Sequence, residues 1–423
     1  MQLPLINAVD DTSLIWRDHQ CITRAGFAHA AQQLADRLPD HGYLINLCAT
    51  RLAFMLSWVA AAMRGKMTLL PPNQTHGALQ LLQNQYPDHA IIDDSCLDQL
   101  DWHSTASVIP AVDGDAVIAT LFTSGSTGTP QAHRKTWYSL LRTAELDTQR
   151  FTPTPVNIVA TVPSQHMFGL QTTVLLPLIG GCAIFDGKPF FPADIRAALQ
   201  AVPAPRALVT TPTHLRSCIA AGLQVPELQF VLSATAPLAI ELAAQTESLW
   251  NTKVLEIYGS TEAGAIGTRR TTQGDTWQLH AGTQIRRSDT GTFFHAPHLP
   301  EPLPLNDQLE LLDAGQFRLL GRDTDQVKIA GKRGSLTELT RALLNIPGVA
   351  DGVIFMPSGA ERTAALVVAP ALQTAHILDE LARHVDAVFL PRPMIMVNQL
   401  PRNEVGKLTQ ASLMAALSSG LIS

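Results

Sequence analysis

Leu121-Phe122-Thr123-Ser124-Gly125-Ser126-Thr127-Gly128-Thr129-Pro130 is the stretch from which the rest of the chain can be read. An apolar run enters a string of small hydroxyl residues and glycines. Gly125 and Gly128 let the backbone take positive φ and approach a ligand closely. Ser124, Ser126 and Thr127 add hydroxyl donors, and backbone N–H groups in such a turn can converge on an anion. The sequence thus predicts a loop that holds phosphate oxygens, with an ordinary surface loop as the plain alternative. A Walker-type phosphate loop ends in Gly-Lys-Ser/Thr. Here Gly128 is followed by Thr129-Pro130-Gln131, which counts against a kinase or ATPase of that type.

Outward from this loop, short β-branched runs alternate with helical patterns. Ala116–Thr123 reads as a buried strand, Thr136–Arg150 as a helix, Asn157–Val162 as a strand and Ala193–Ala201 as a helix. The strand Ala207–Thr211 leads to a helix from His214 to Ala221. Phe230–Ser233 leads to a helix over Ile240–Trp250, and Lys253–Tyr258 closes the series. This alternation predicts an α/β fold with a parallel, helix-covered sheet. Ligands in such sheets gather at the carboxyl ends of the strands. Beyond Tyr258 the strands shorten and their turns become charged, up to about Gly321. Helical patterns near Leu336–Asn345 and His376–Asp386, with strands at Gly352–Phe355 and Ala364–Val368, predict a small α+β unit. The expected division is a large unit, 1–321, and a small one, 322–423.

Composition narrows the classes of function. Of the 423 residues 46% are hydrophobic and 16% charged, which suits a globular chain and excludes a disordered one. The net charge of −6 offers no basic field for nucleic acid or anionic lipid, so neither is an expected partner. Five cysteines (Cys21, Cys48, Cys96, Cys182, Cys218) contain no CxxC pair and read as reduced thiols. The start, Met1-Gln2-Leu3-Pro4, lacks the basic residues and apolar run of a secretory signal. The apolar stretches Phe54–Met63 and Thr172–Phe185 are too short, or too broken by Pro177, Gly180 and Gly181, to span a bilayer. They read as core, and the expected location is the cytoplasm.

Further motifs follow the phosphate loop in order. They are Pro163-Ser164-Gln165-His166-Met167-Phe168-Gly169, Ala234-Thr235-Ala236-Pro237-Leu238, Tyr258-Gly259-Ser260-Thr261-Glu262, Gly321–Arg333 and Pro401-Arg402-Asn403-Glu404-Val405-Gly406-Lys407. Together with Thr123–Gly128 they resemble the acyl-adenylate-forming, AMP-dependent synthetase/ligase superfamily. The resemblance covers about residues 120 to 410. It implies a large adenylate-forming domain of helix-covered parallel sheets plus a distorted β-barrel, and a mobile C-terminal domain that carries a catalytic lysine.

The resemblance also implies roles for particular residues. Thr123, Ser124, Gly125, Ser126, Thr127 and Gly128 would cradle the phosphates of ATP. Ala234, Thr235, Tyr258 and Gly259 would line the adenine side, while Asp307 and Arg322 would meet the ribose. Thr261 would contact the α-phosphate, Glu262 would help hold Mg²⁺, and Lys407 would be the catalytic cation. His166, Phe168, Thr211 and Ala234 are candidates for the acyl pocket, and Thr324 would be the hinge. The implied reaction converts a carboxylic acid and ATP to acyl-AMP, then passes the acyl group to a phosphopantetheine thiol.

The sequence departs from the family pattern in several places. Gln131 stands where a lysine is usual, Asp307 follows Leu305-Asn306 instead of Thr-Gly, and Thr324 replaces the usual Asp or Lys. The segment before the phosphate loop is also short. Ser233–Leu238, Ile329–Ser335 and Ile346–Gly352 look most like the small AMP-ligases of aryl-polyene and xanthomonadin-type pathways, which load an aryl acid such as a hydroxybenzoate onto an acyl carrier protein. Two alternatives stay open: an acyl- or aryl-CoA synthetase using free CoA, and a catalytically degenerate adenylation domain that binds a carrier protein.

Overall fold

The computed structural model describes residues 1–17, 20–102, 106, 108–123, 131–322, 326–329, 332–402 and 408–420, with backbone only at 322, 326, 328, 333 and 420. The apolar runs that alternate with helical patterns build two helix-covered sheets. The first has five strands in the order His89–Ile92, Tyr43–Asn46, Met67–Leu70, Val117–Thr123, Gln131–Thr136. Its first four strands are parallel, and Gln131–Thr136 returns antiparallel on the last of them.

The second sheet has eleven strands. Its parallel centre runs Ser13–Arg17, Ala183–Phe185, Asn157–Ala160, Arg206–Thr210, Phe230–Ser233, Val254–Ser260. Gln20–Thr23 adds antiparallel to the first of these strands. Gly264–Arg270, Thr276–Leu279, Gln316–Arg322 and Asp307–Leu311 extend the other end, also antiparallel. The central strands are buried along their length, as expected of a sheet covered on both faces.

Helix boundaries follow local chemistry. Trp137–Phe151 starts at Thr136, whose hydroxyl accepts from the Ser139 N–H, and Arg51–Met63 starts at Thr50, which accepts from Ala53. The second of these helices is buried on nearly every side, so its sequence carries no amphipathic stripe. The largest apolar cluster joins it to the Trp137–Phe151 helix through an edge-to-face Trp58–Trp137 pair, 5.8 Å between centroids.

The structure corrects three expectations of detail. The strand from Asn157 ends at Ala160, not Val162. Arg51 donates to the carbonyls of Ala160 (2.7 Å) and Val162 (2.9 Å), which bends the following segment into a loop. The helix expected to reach Asp386 ends at Leu381, and Asp386 instead caps a 3₁₀ turn by accepting from Val388. No closed barrel forms among the described residues. Gln284–Ser288, Gly291–His295 and Leu303–Leu305 make a separate three-stranded antiparallel sheet, and the chain turns at Asn306 to enter the large sheet at Asp307–Leu311.

Past residue 325 the chain forms a hairpin, Gln326–Ile329 with Lys332–Ser335, and a three-stranded sheet of Asp351–Phe355, Ala364–Val368 and Met394–Met396. The helices Leu336–Leu344, Thr374–Leu381 and Gln410–Gly420 accompany them. Two apolar clusters consist wholly of residues from this part of the chain. Among the described residues no helix is long and apolar enough to cross a membrane.

Candidate active site at the carboxyl ends of the strands

Four neighbouring parallel strands end side by side, and the sequence motifs hang from these ends. Val209 lies between Ala160 and Leu232 in the ladder, and Leu232 faces Leu255. The turns after Asn157–Ala160, Arg206–Thr210 and Phe230–Ser233 therefore stand in a row with the end of Val254–Ser260. They carry His166 and Phe168, then Thr211, then Ala234 and Thr235, then Tyr258 to Glu262. This is the edge at which open α/β sheets bind ligands.

The turn before His166 is tightly wound. A Cβ at Gly169 would stand 1.9 Å from the Pro163 carbonyl oxygen, so only glycine permits this return of the chain. His166 caps the short helix Met167–Leu170, which runs into a buried π-helical turn, Gln171–Leu175. Such turns are frequent at functional sites. Arg51, fully buried, adds a bond to the Ser164 hydroxyl (3.1 Å) and so fixes the loop that leads to His166, while Phe168 lies within the short helix, half-buried against the largest apolar cluster. Burial lowers its pKa to about 10, against the attraction of Asp186. Thr211 is buried, and its hydroxyl lies 2.8 Å from His214 Nδ1.

The next turn is strained. Thr235 has φ of 79°, rare for a β-branched residue, and its buried hydroxyl has no partner among the described residues; nor has Ser233 Oγ beside it. A partnerless donor in a strained turn at this edge fits contact with a polar ligand.

Tyr258 and Asp307, 49 residues apart, meet directly. The phenol donates to Asp307 Oδ2 at 2.5 Å, and the ring packs on Trp277 and Phe317. Asp307 stands opposite Arg322 in the antiparallel ladder. A Cβ at Gly259 would lie 2.2 Å from the Gly264 oxygen, so glycine is needed where the strand folds back through Ser260 to Ala263. Ser260 Oγ accepts from the Ala263 N–H and steadies that turn. Glu262 follows Thr261 at its tip with 44% of its side chain exposed. Burial alone would raise its carboxyl pKa. Hydrogen bonds from its own N–H and Ser260, with the charges of His133 and Lys135, outweigh this and hold it below the ordinary carboxylate value. Glu262 is thus an ionised carboxylate, and a hard oxygen donor of this kind suits Mg²⁺, which keeps several waters and needs few protein carboxylates.

Of the other expected residues, Thr123 ends the Val117–Thr123 strand, and its hydroxyl lies 3.0 Å from His133 Nε2. Ser124, Gly125, Ser126, Thr127, Gly128, Thr324 and Lys407 lie outside the described residues. Sequence reasoning missed Arg51, His133 and Lys135. The last two alternate along Gln131–Thr136 and point inward while Ala132 and Arg134 are exposed. Only that period of two could have flagged them.

A buried acid beneath the π-helical turn was also missed. Asp147 Oδ2 accepts from Gln171 Nε2 at 2.9 Å, while Oδ1 has no hydrogen-bond partner among the described residues and His280 Nε2 stands 3.9 Å away from it. Burial pushes Asp147 up to about 8, the Gln171 bond pulling weakly the other way; burial also pulls His280 down to about 4. The native carboxyl therefore keeps a proton that the unfolded chain releases near pH 4, and this group's contribution to stability falls as pH rises from there towards 8. Asp147→Asn is expected to match the wild type near pH 5 and to exceed it at pH 8.5 by about 1–3 kcal/mol, read by urea unfolding at both values. A wild-type advantage at pH 8.5 would contradict this assignment.

The architecture agrees with what comparison with known proteins shows. The chain belongs to the AMP-binding enzyme family, which matches it over residues 19–290. It is an AMP-forming acid–thiol ligase of the kind that works through an acyl-adenylate. A 4-coumarate–CoA ligase of Halorhodospira halophila is 29% identical over 300 residues, 68% of this chain and 74% of that protein. The O-succinylbenzoate coenzyme A synthetase of Bacillus subtilis, solved with AMP, superposes with a TM-score of 0.81 at 16% identity, covering 98% of both chains. The same enzyme with ATP and magnesium ion gives 0.79 at 17% identity, over 96% of this chain and 97% of that one.

Proposed function

We propose that this ligase activates an aryl acid as its acyl-adenylate and transfers the acyl group to the phosphopantetheine thiol of an acyl carrier protein. The observation that carries the site is the row of strand ends from His166 to Glu262, with Asp307 bonded to Tyr258 at its far end. The aryl acid is supported by the printed name of the coumarate-activating relative. The carrier protein is supported by the likeness of Ser233–Leu238, Ile329–Ser335 and Ile346–Gly352 to small AMP-ligases. A second reading, free CoA as acceptor, is favoured by the names of the relatives, which are CoA ligases.

A carboxylate is a poor acyl donor because oxide is a poor leaving group. Its oxygen attacks the α-phosphorus of ATP, the bond to the bridging oxygen breaks, and pyrophosphate leaves. The thiol then attacks the acyl carbon and AMP departs. The first step brings two anions together, so the site must offset their repulsion and hold them in line. Thr123 and residues 124–128 would hold the departing phosphates, Thr261 the α-phosphate, and Lys407 the attacking carboxylate. Bound at Glu262, Mg²⁺ would neutralise phosphate charge. Ala234, Thr235, Tyr258 and Gly259 would enclose the adenine, Asp307 and Arg322 the ribose, and His166, Phe168, Thr211 and Ala234 the acyl group. Residues 322–423 would turn about Thr324 between the two steps, withdrawing Lys407 and admitting the thiol.

The test is acid-dependent exchange of labelled pyrophosphate into ATP across a panel of aryl and fatty acids, followed by acyl transfer to carrier protein or CoA. Exchange with a hydroxybenzoate and transfer to the carrier alone is the expected result. Transfer to CoA alone would establish the second reading, and absence of exchange with every acid would remove the adenylation reading.

A further inference from the structure

The strand Gln131–Thr136 follows directly on residues 124–130 and pairs back on the strand that enters them, with Thr123 opposite Gln131, Leu121 opposite His133 and Ala119 opposite Lys135. Its sequence is almost wholly polar, yet His133 and Lys135 are buried, Lys135 with only 5% exposure. Burying an ammonium is costly unless it is well partnered. Among the described residues the only hydrogen bond of Lys135 Nζ is to the backbone carbonyl of Glu262, 2.5 Å away and 127 positions on in sequence.

His133 Nε2 reaches both sides of the same junction. It is 3.0 Å from the Thr123 hydroxyl, where the phosphate loop begins, and 3.6 Å from Glu262 Oε1. The buried His298 places Nε2 3.1 Å from the Ala263 carbonyl. Two successive carbonyls, those of Glu262 and Ala263, are thus each held by a buried nitrogen from a different part of the chain. The carboxylate between them remains half open.

Lys135 does not replace the cation missing at Gln131. Four residues of strand place the two Cα atoms about 13 Å apart, and the ammonium is committed to Glu262. What it supplies is position.

We propose that Lys135 and His133 are positioning residues that lock the Thr261–Ala263 turn to the strands flanking the phosphate loop, so that the Glu262 carboxylate is held where it binds Mg²⁺ together with ATP. This inference rests on the reading of Glu262 as the magnesium carboxylate. A hydrogen-bonded support of a metal ligand typically accounts for about 10–100-fold in metal affinity.

The full-length chain tests it with ATP and Mg²⁺ as probes. ATP binding is measured by calorimetry over a range of Mg²⁺ concentrations, and pyrophosphate exchange over the same range. Lys135→Met and His133→Ala are expected to raise the Mg²⁺ concentration for half-maximal ATP binding by about 10–100-fold, leaving magnesium-free ATP binding unchanged. His133→Gln, which keeps a polar atom near the Nε2 position, is expected to recover most of the loss. Should Lys135→Met not fold, the His133 pair carries the test alone. Folded variants with wild-type magnesium dependence, or with equal losses of ATP binding with and without Mg²⁺, would overturn the inference while wild-type exchange leaves the adenylation reading standing. A wild type that exchanges no pyrophosphate removes that reading, and the inference falls with it.

Discussion

Lys407→Ala is expected to slow acyl-adenylate formation about 10²–10³-fold while leaving transfer from a supplied acyl-adenylate to the thiol near its wild-type rate. The asymmetry follows from where charge develops. In the first step a carboxylate approaches a polyanion, and a lysine ammonium beside the α-phosphorus offsets repulsion that water would otherwise screen. In the second step a thiol meets a carbonyl already activated by AMP, and an ammonium over the carbonyl would obstruct it. A backbone bridge pairs Arg402 with Leu408, the described residues on either side of 403–407. Pyrophosphate exchange reports the first step, and thioester formation from synthetic acyl-adenylate the second. Equal losses in the two assays would take Lys407 out of the role assigned to it.

Asp351→Ala is expected to lower the stability of the chain by about 3 kcal/mol, measured by chemical denaturation at pH 7. Arg402 binds this carboxylate with Nη2 at 3.0 and 3.1 Å. Arg216, on the helix Pro212–Ala220, reaches it from elsewhere at 3.2 Å. All three side chains are mostly buried, so removing the acid takes from two neighbouring guanidinium groups the carboxylate that they share. Arg216 already has its pKa lowered, by burial first, with Asp351 opposing and Arg402 adding to the fall. The figure is set at the low end for buried pairs because 21% of the Arg216 side chain still meets solvent. A change under about 0.5 kcal/mol, the range of ordinary surface substitutions, would show that this cluster contributes nothing.

These expectations rest on a site only partly legible in the sequence. Phe230–Ser233, Ile240–Trp250 and Ala364–Val368 appear with the boundaries that their apolar runs predict, because each is a continuous pattern bounded by turn residues. Tyr-Gly-Ser-Thr-Glu at 258–262 was readable as a motif, and so was Asp307 by spacing; their meeting was not, since a hydrogen bond across 49 residues leaves no local trace. The five-stranded sheet was largely invisible before the fold was known. Tyr43–Asn46 and Met67–Leu70 are four residues each, too short to show a period, and the helix between them is apolar all round. Gln131–Thr136 was hidden for the opposite reason, because its inward face is a histidine and a lysine instead of β-branched residues.

The order of strand ends along the large sheet has a bearing on how such a protein diversifies. His166, Phe168 and Thr211 hang from one stretch of the row, Tyr258 to Glu262 from another, and Ala234 stands between them. On the roles proposed for them, drift in the first group would retune which organic acid is accepted while the residues assigned to ATP are inherited unchanged. Residue 234, proposed for both groups, would then be the position at which a new substrate preference and the old chemistry must be reconciled.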